Sequence, residues 1–476
     1  MNSTHRRRAV LVSLALLLPG LASAADLQEI YQRALRNDPV LREADANRLA
    51  ALEAKPQALS ALLPQITGNA GYTRDWNSGT QPNYATLPDG SFAIEQLPIS
   101  TVSDIRQWNV QLKQTLFRWD QFAKLRQASV EVAQAEVDYH AAQESVILRT
   151  ATAYFNVLAA RDTLDAAEAS KEAISRQLEQ AEKRFDVGLI AITDVEEAKA
   201  AADQAAALVI ASKRTLASTR EQLRELTGDA FDELSRPGDD MPLVAPSPAS
   251  EDQWVHAALD QNLTLSSARL GADIARDNIV IARTGHAPTI DLVASKGATH
   301  TGAYTTFPIP DPTNPNSTIN QSFPAGSILN DKQIGIQITV PIYSGGNVAS
   351  QVRQAVYRQR AARERLERTA RETERDTRDA YLGVISEIAR VEALKQALAS
   401  SQTALQATEA GYEVGTRTAV DVLLARQRLL DAQTSYARSR YDYVINVLTL
   451  EQEAGTLDES RLARVNGWLG QSVSVK

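Results

Sequence analysis

Residues 411–422 read GYEVGTRTAVDV, and residues 184–195 read RFDVGLIAITDV. The two stretches align without a gap, so that Gly188 matches Gly415. Each interrupts a long run rich in Ala, Glu, Gln and Arg that is typical of helices. Because glycine readily adopts the positive φ of a tight turn, each stretch predicts a turn between two antiparallel helices. The chain is therefore expected to contain two long helical hairpins closed by matching turns.

The composition excludes several classes of protein. Hydrophobic residues make up 43% of the 476 positions and aromatic residues 5%, without the long apolar runs that a bundle of membrane-spanning helices requires. The formal net charge of −8 provides no basic surface for nucleic acid. The chain has no cysteine, so packing and oligomerisation, rather than disulfides, must stabilise it after export.

The first residues have the pattern of a secretory signal peptide. Three arginines at 6–8 precede an apolar stretch at 9–18, and Ala22-Ser23-Ala24 forms a small-residue cleavage site. The alternative is a membrane anchor, but this apolar stretch is too short to cross a hydrocarbon core of about 30 Å. We therefore expect residues 1–24 to be a signal peptide, removed on export.

Period-2 alternation predicts four β-strands, at about 65–76, 106–117, 289–299 and 333–343. The last is the clearest, because Ile334, Ile336 and Ile338 alternate with polar residues or glycine. The polar segments 77–104 and 300–331 are expected to be long loops between the strands of each pair.

This alternation fits a half-buried soluble strand as well as a strand of an outer-membrane barrel. The signal peptide and the long loops at one end of each pair favour the membrane. Lipid cannot satisfy the open edges of a sheet, and closed barrels begin at about 8 strands. Four strands per chain are too few, so several chains must share one barrel: two would give 8 strands and three would give 12.

The helical runs organise the rest of the chain into two repeats. The first repeat is 25–229, with a hairpin at 119–226, and the second is 251–455, with a hairpin at 347–453. Apolar residues recur at three- and four-residue spacing in a narrow seam with many flanking alanines, which suits a hollow cylinder of helices better than a solid bundle. Two further segments complete the predicted organisation: a linker at 230–250 and a C-terminal tail at 456–476.

No catalytic, cofactor-binding or metal-binding constellation is recognisable. The sequence has no H-E-x-x-H, no G-x-S-x-G and no phosphate-binding loop. Four histidines follow the signal peptide without metal-ligand spacing: His140, His256, His286 and His300. We therefore expect no enzyme activity, no metal and no cofactor.

The two turns carry polar residues that have two interpretations. Thr418 and Asp421 fit an N-cap with an acidic residue three positions on, and Thr193 and Glu196 have the same spacing. Alternatively, oligomerisation would repeat Asp421 around an axis and build a ring of carboxylates, as cation-selective pores do.

The same residues resemble the TolC-like outer membrane efflux proteins. Residues 411–423 and 184–195 are similar to the two periplasmic tip turns of that family. VPIYSGG at 340–346 is similar to its crossing from strand to helix, and LRNDP at 35–39 to its N-terminal segment. The resemblance spans essentially the whole chain after the signal peptide, with the repeats in order.

The resemblance implies a mixed α/β membrane protein that is a homotrimer. Its 12-stranded outer-membrane β-barrel, with four strands from each chain, would continue into a 12-helix periplasmic α-barrel. Such a protein serves as the exit duct for an inner-membrane ABC, RND or MFS transporter, to which a periplasmic adaptor protein links it. It lies in the lipid of the cell outer membrane with a long periplasmic portion, and it opens by untwisting of the helical tip.

The resemblance also implies roles for residues of the turns. Links that close the tip in the family correspond here to Thr193, Asp194, Tyr412 and Arg417, and an aspartate ring corresponds to Asp421.

Leu424 departs from the family pattern, since it occupies the position of a second aspartate ring. A single ring is expected to bind cations more weakly than two rings. The main rival is a periplasmic coiled-coil adaptor or structural protein without a pore. An adaptor would need one helical hairpin, whereas this sequence predicts two hairpins and two strand pairs.

Overall fold

A computed structural model describes residues 25–86, 89–238 and 240–475. The expected signal peptide, 1–24, lies outside these described residues. None of the described helices has both the length and the apolar character needed to cross a membrane.

The described elements alternate between groups of helices and long strands. The helices are α1 (Leu27–Asn37), α2 (Pro39–Leu52), α3 (Ala54–Ser60), α4 (Trp119–Asp186), α5 (Ile192–Thr227), α6 (Glu251–Gln261), α7 (Leu263–Arg283), α8 (Asn347–Glu413), α9 (Ala419–Glu453) and α10 (Glu459–Asn466). The strands are β1 (Gln65–Thr86), β2 (Phe92–Phe117), β3 (Glu233–Pro237), β4 (Thr289–Asp311), β5 (Asn314–Pro324), β6 (Ser327–Thr339) and β7 (Leu469–Ser474).

The chain forms two compact units, and each unit takes segments from both sequence repeats. The helical unit comprises His140–Leu263, Arg371–Lys476 and the described part of Met1–Ala44. The sheet unit comprises Asp45–Tyr139 and Thr264–Ala370. The compact units are therefore not the two repeats themselves, because each repeat contributes one strand pair and one part of the helical packing.

The sheet unit is built on four antiparallel strand positions. β1 pairs with β2, and β2 pairs with β4. The fourth position is shared, because Thr289–Thr301 of β4 pairs with β6 and Tyr304–Asp311 pairs with β5. Within the described residues, the outer edges of β1 and of β5 and β6 have no strand partner. One chain therefore forms an open sheet.

The strands are longer than the sequence predicted, and the two expected loops are wrong for most of their length. β1 continues to Thr86 and β2 begins at Phe92, so most of 77–104 is paired hairpin. Most of 300–331 likewise belongs to β4, β5 and β6. Apolar alternation ends before the strands do. The hydrogen bonds between paired strands join backbone groups, so polar residues can continue a strand as well as apolar residues can. At the other end, β6 stops at Thr339 rather than 343, close to Pro341, which has no backbone N–H.

Apolar side chains along β6 remain exposed on one face. Ile334, Ile336 and Ile338 are each at least 63% exposed, although they alternate regularly with their neighbours. An apolar face this open is typical of a surface that another apolar medium or molecule covers.

The helical unit has its core where α4 and α9 pack together. Tyr154 and Phe155 of α4 are fully buried, and the Phe155 ring stacks on Tyr441 of α9 at 5.7 Å. The hydroxyl of Tyr441 donates to the Asp162 carboxylate at 2.6 Å, so this buried polar pair is satisfied.

The linker and the tail contain regular structure that the sequence did not predict. β3 lies in the predicted linker 230–250 and pairs antiparallel with β7 of the predicted tail 456–476, which also contains α10. β3 has only five residues and its partner lies more than 200 positions away, so no local pattern reveals this sheet.

Candidate functional site at the two helical turns

The two turns have the same backbone conformation. α4 and α5 are joined around Gly188, and α8 and α9 around Gly415; both glycines have φ of +76°. The N–H of Gly188 donates to the Phe185 carbonyl at 2.8 Å, and that of Gly415 to the Tyr412 carbonyl at 3.1 Å. A Cβ at either glycine would meet open space, so the positive φ, not the room available, requires glycine. The predicted turns are confirmed.

Asp421 is a member of a complete capping box at the start of α9. Thr418 is the N-cap, and its Oγ1 accepts from the Asp421 N–H at 3.2 Å. In return, Asp421 Oδ2 accepts from the Thr418 N–H and hydroxyl, each at 2.9 Å. These bonds from Thr418 lower the pKa of Asp421 below its ordinary value, with a smaller contribution from the charge of Arg417. The capping interpretation of Thr418 and Asp421 is confirmed.

The first turn has no such box, and the predicted pairing of Thr193 with Glu196 is wrong. The N-cap of α5 is Ala191, which has no side chain able to cap, and Thr193 already lies in the first turn of the helix. The ungapped alignment explains this, because it places Ala191 opposite Thr418 and Asp194 opposite Asp421. Within the described residues, the Asp194 carboxylate makes no hydrogen bond to an N-cap side chain.

Tyr412 connects the second hairpin to the first. The guanidinium of Arg184 lies over the Tyr412 ring, with Cζ 5.0 Å from the centroid. Such a cation–π contact contributes about 0.5–1 kcal/mol at an exposed site. Tyr412 also packs on the small apolar cluster of Leu405, Val422 and Ala425. In the first repeat, Arg184 occupies the position that Gly411 has in the second, so only one of the two turns carries this cation.

Arg417 lies exposed beside Gly411. A Cβ built on Gly411 would come within 2.8 Å of Arg417 Cγ, so glycine at this position makes room for the arginine side chain. Within the described part of one chain, no ion pair joins Arg417 to Asp194, and Tyr412 contacts Arg184 rather than Thr193 or Asp194. A single chain therefore does not form the predicted latch, which stays a prediction for an assembly of several chains.

Each hairpin has its own seam directly below its turn. In the first, Ala181, Val195 and Ala198 form a buried cluster, against which Leu178 and Ile190 pack. In the second, the cluster of Leu405, Val422 and Ala425 occupies the corresponding place.

Polar contacts also reinforce the region below the turns. Arg426 of α9 forms an ion pair with Glu409 of α8 at 2.5 Å, which links the two arms of the second hairpin. Gln177 of α4 is buried, and its amide donates to the Ala419 carbonyl of α9 at 3.4 Å, which links the first hairpin to the start of α9. A groove of about 640 Å³ lies beside these contacts.

The remaining predicted position, Leu424, is 51% exposed in one chain. It stands one helical turn after Asp421 and presents an apolar side chain there. In the described part of the chain, no three His, Cys, Asp or Glu side chains are placed to hold a metal ion.

The sequence matches the family model described as "Outer membrane efflux protein" over residues 30–229 and 254–456. Outer membrane protein TolC of Vibrio cholerae is 37% identical over 446 residues, which cover 94% of each chain. Outer membrane protein TolC of Escherichia coli is 36% identical and covers 98% of this chain and 89% of its own. The alkaline protease secretion protein AprF of Pseudomonas aeruginosa is 28% identical over 94% of this chain and 88% of its own.

Solved structures share the fold. The CmeC outer membrane channel of Campylobacter jejuni superimposes with a TM-score of 0.68 at 17% identity, covering 98% of this chain and 97% of that one. The open state of the MtrE outer membrane channel of Neisseria gonorrhoeae has a TM-score of 0.66 at 20% identity, covering 91% and 90%.

Proposed function

Because the chain belongs to the outer membrane efflux protein family, we propose that it is an outer-membrane exit duct for drugs, small toxic molecules and secreted proteins. One observation carries this proposal: identity of 36–37% to two TolC proteins over at least 94% of the chain. The relative AprF, which is named for protease secretion, supports proteins as one class of cargo. The duct would receive its substrates from an inner-membrane ABC, RND or MFS transporter through a periplasmic adaptor, and it would perform no catalysis.

The open sheet supports an assembly of several chains, and the resemblance to a family of homotrimers favours three copies over two. Four strand positions per chain leave two unpaired edges, which lipid cannot satisfy, and three copies would close a barrel of 12 strands. The exposed isoleucines of β6 suit the lipid-facing surface of such a barrel. The alternative, a periplasmic adaptor protein, does not explain why the sheet has this exposed apolar face.

Asp421 can act in a selectivity ring without losing its capping role. The two bonds that it accepts from Thr418 both end on Oδ2, so Oδ1 is available to a passing cation. The lowered pKa of Asp421 extends to more acidic solution the range in which its carboxylate is ionised. Three copies around one axis would therefore present three carboxylates at one level, with Leu424 forming an apolar ring one turn further along α9.

Thr193, Asp194, Tyr412 and Arg417 form the proposed closing latch between hairpins. Arg417 is exposed and makes no ion pair within the described part of one chain, so its guanidinium remains available to Asp194 of a second copy. We expect Arg417→Ser to raise single-channel conductance in planar bilayers, because it removes the cation of that contact. Arg428→Ser, at an exposed arginine within α9, is the control and should leave conductance unchanged. Equal conductance of Arg417→Ser and wild type would refute the latch.

Fractionation and electrophoresis test the proposed function itself. The protein should be found in the outer membrane and run as a heat-sensitive trimer on unheated gels. It should also restore drug tolerance to a strain that lacks its own exit duct. A soluble monomer in the periplasm would refute the proposal.

A further inference from the structure

A pocket of about 330 Å³ lies in the helical unit, far in sequence from the two turns. It is formed where residues 244–247 pass over α6, α9 and α10. Its size falls at the lower end of the range of small-molecule sites. Neither the turns nor the sheet contributes to it, so the proposed transport function leaves it unexplained.

Tyr443, Trp254 and Trp468 contribute aromatic side chains to the lining of the pocket, and the polar atoms of Tyr443 and Trp254 are already satisfied. The ring of Tyr443 stacks on Trp468 at 6.5 Å. The Tyr443 hydroxyl accepts from the Val244 N–H at 2.7 Å and donates to the Val244 carbonyl at 3.0 Å. Trp254 Nε1 donates to the Pro248 carbonyl at 2.8 Å. The hydrogen bonds hold the rings of Tyr443 and Trp254 in place, and stacking on Tyr443 positions Trp468, so that the ring faces provide preformed apolar walls.

Charged side chains also line the pocket. Glu451 is only 5% exposed, and its Oε1 lies 3.4 Å from Arg461 Nη1 and 3.5 Å from Arg464 Nη1. Burial raises the pKa of Glu451, while the two guanidinium groups oppose that shift. Both distances are long for ion pairs, and each guanidinium has five N–H donors, so donors remain available.

The charges of the lining favour an anion. Two arginines face one carboxylate in the lining, and Asp458, which lies outside it, offsets part of the charge of Arg461, so that Arg464 is the principal cation for an anionic ligand. Arginine is also the residue whose planar fork matches a carboxylate. Val447 and Leu450 also line the pocket, so a ligand that fills it needs an apolar body next to its acidic group.

We infer that this pocket binds a small amphipathic carboxylate, with its apolar body against Trp254 and Trp468 and its carboxylate on Arg461 and Arg464. The inference does not depend on transport, and it assigns the chain a ligand site away from the two turns.

Isothermal titration calorimetry of the full-length protein in detergent tests this inference. The probe is 3-phenylpropionate, with empty micelles as the blank. We expect the neutral 3-phenylpropionamide to bind at least tenfold more weakly, because it loses the charge-assisted hydrogen bonds to the arginines. The cationic 3-phenylpropylammonium should not bind. Tighter binding of the ammonium than of the carboxylate, or no binding of the carboxylate, would overturn the inference.

Variants of the pocket lining locate the binding. Arg464→Gln should weaken the binding of 3-phenylpropionate about tenfold, whereas the control Arg428→Gln, on an exposed part of α9, should not change it. Val447→Phe should abolish binding by filling the apolar part. Mobility on unheated gels confirms that each variant is assembled. If neither Arg464→Gln nor Val447→Phe alters binding, the probe binds elsewhere and the inference fails. If a neighbouring copy fills the pocket, the assembled protein will bind no probe, which equally refutes the inference.

Discussion

The difference between the two N-caps predicts reciprocal effects of two substitutions. In Thr418→Ala, the start of α9 loses the bonds made by Oγ1 and keeps only the bond from the backbone N–H of residue 418 to Asp421. Loss of an N-cap hydroxyl costs about 1 kcal/mol. In Ala191→Thr, the start of α5 gains such a hydroxyl, because Ala191 has φ −80° and ψ 155°, close to the −92° and 163° of Thr418. Asp194 already stands at the position that completes the box.

Hydrogen exchange resolved by residue measures both effects, since a helix end opens locally at a rate set by its own stability. About 1 kcal/mol corresponds to about a fivefold change in the opening equilibrium. We expect Thr418→Ala to speed exchange of the amides at 420–422 about fivefold and to leave those at 193–195 unchanged. Ala191→Thr should slow exchange at 193–195 by a similar factor. Unchanged exchange at both turns would refute the reasoning that capping distinguishes them, and a change that spreads along the whole of α9 would show that the substitution acts through packing instead.

Three further predictions concern charge. Asp421→Asn keeps the size of the side chain and an oxygen for the cap but removes the charge. Cation selectivity and block by trivalent cations, measured in planar bilayers, should therefore fall, and unchanged selectivity would exclude a selectivity ring at Asp421. Arg184→Gln should raise conductance by freeing Tyr412 from the first hairpin, and Tyr412→Phe, which keeps the ring, should retain the cation–π part of that contact. Combined with Tyr412→Leu, Arg184→Gln should add less than its effect in the wild type, and strictly additive effects would contradict the contact. Burial, and then the charge of Glu453, raise the pKa of Glu144 to about 7. The contribution of Glu144 to the free energy of unfolding is therefore fully present below about pH 4.5 and is lost as the pH rises through 7. Glu144→Gln should therefore stabilise the protein by about 1 kcal/mol at pH 8, after a discount for solvent screening, and should not stabilise it at pH 4. Denaturant titrations measure both values, and a free energy of unfolding that changes with pH in the same way in the two proteins would contradict this prediction.

The sequence was informative where a short, repeated pattern determines the structure. Gly188 and Gly415 each mark a turn because the backbone there needs a positive φ, and that need is local. The alternation of Ile334, Ile336 and Ile338 likewise predicts the strand that contains them. The number of strand positions, and hence the expectation of several chains per barrel, followed from these local signals.

Features that depend on distant partners could not be predicted. The pairing of β3 with β7 joins segments more than 200 positions apart and has no periodic signal. The contact of Arg184 with Tyr412 joins two hairpins, so neither residue alone indicates it. The N-cap predicted at Thr193 is wrong for a different reason: Thr193 and Glu196 match the spacing of Thr418 and Asp421, but they do not match their register in the repeat. Aligned with the second turn, the cap position is Ala191.

The unequal caps and cations of the two turns have a consequence for symmetry. In the proposed trimer, six hairpins from an internally repeated chain would surround the axis in a nearly sixfold arrangement. The two turns differ, however. The first has Arg184 and the N-cap Ala191, which makes no side-chain bond, and the second has Gly411 and the N-cap Thr418, which completes a capping box. The symmetry of the proposed trimer at this end would therefore be threefold, with capped and uncapped turns in alternation. A ring of six identical partner subunits that meets this end must either bind in two alternating ways or occupy every second position.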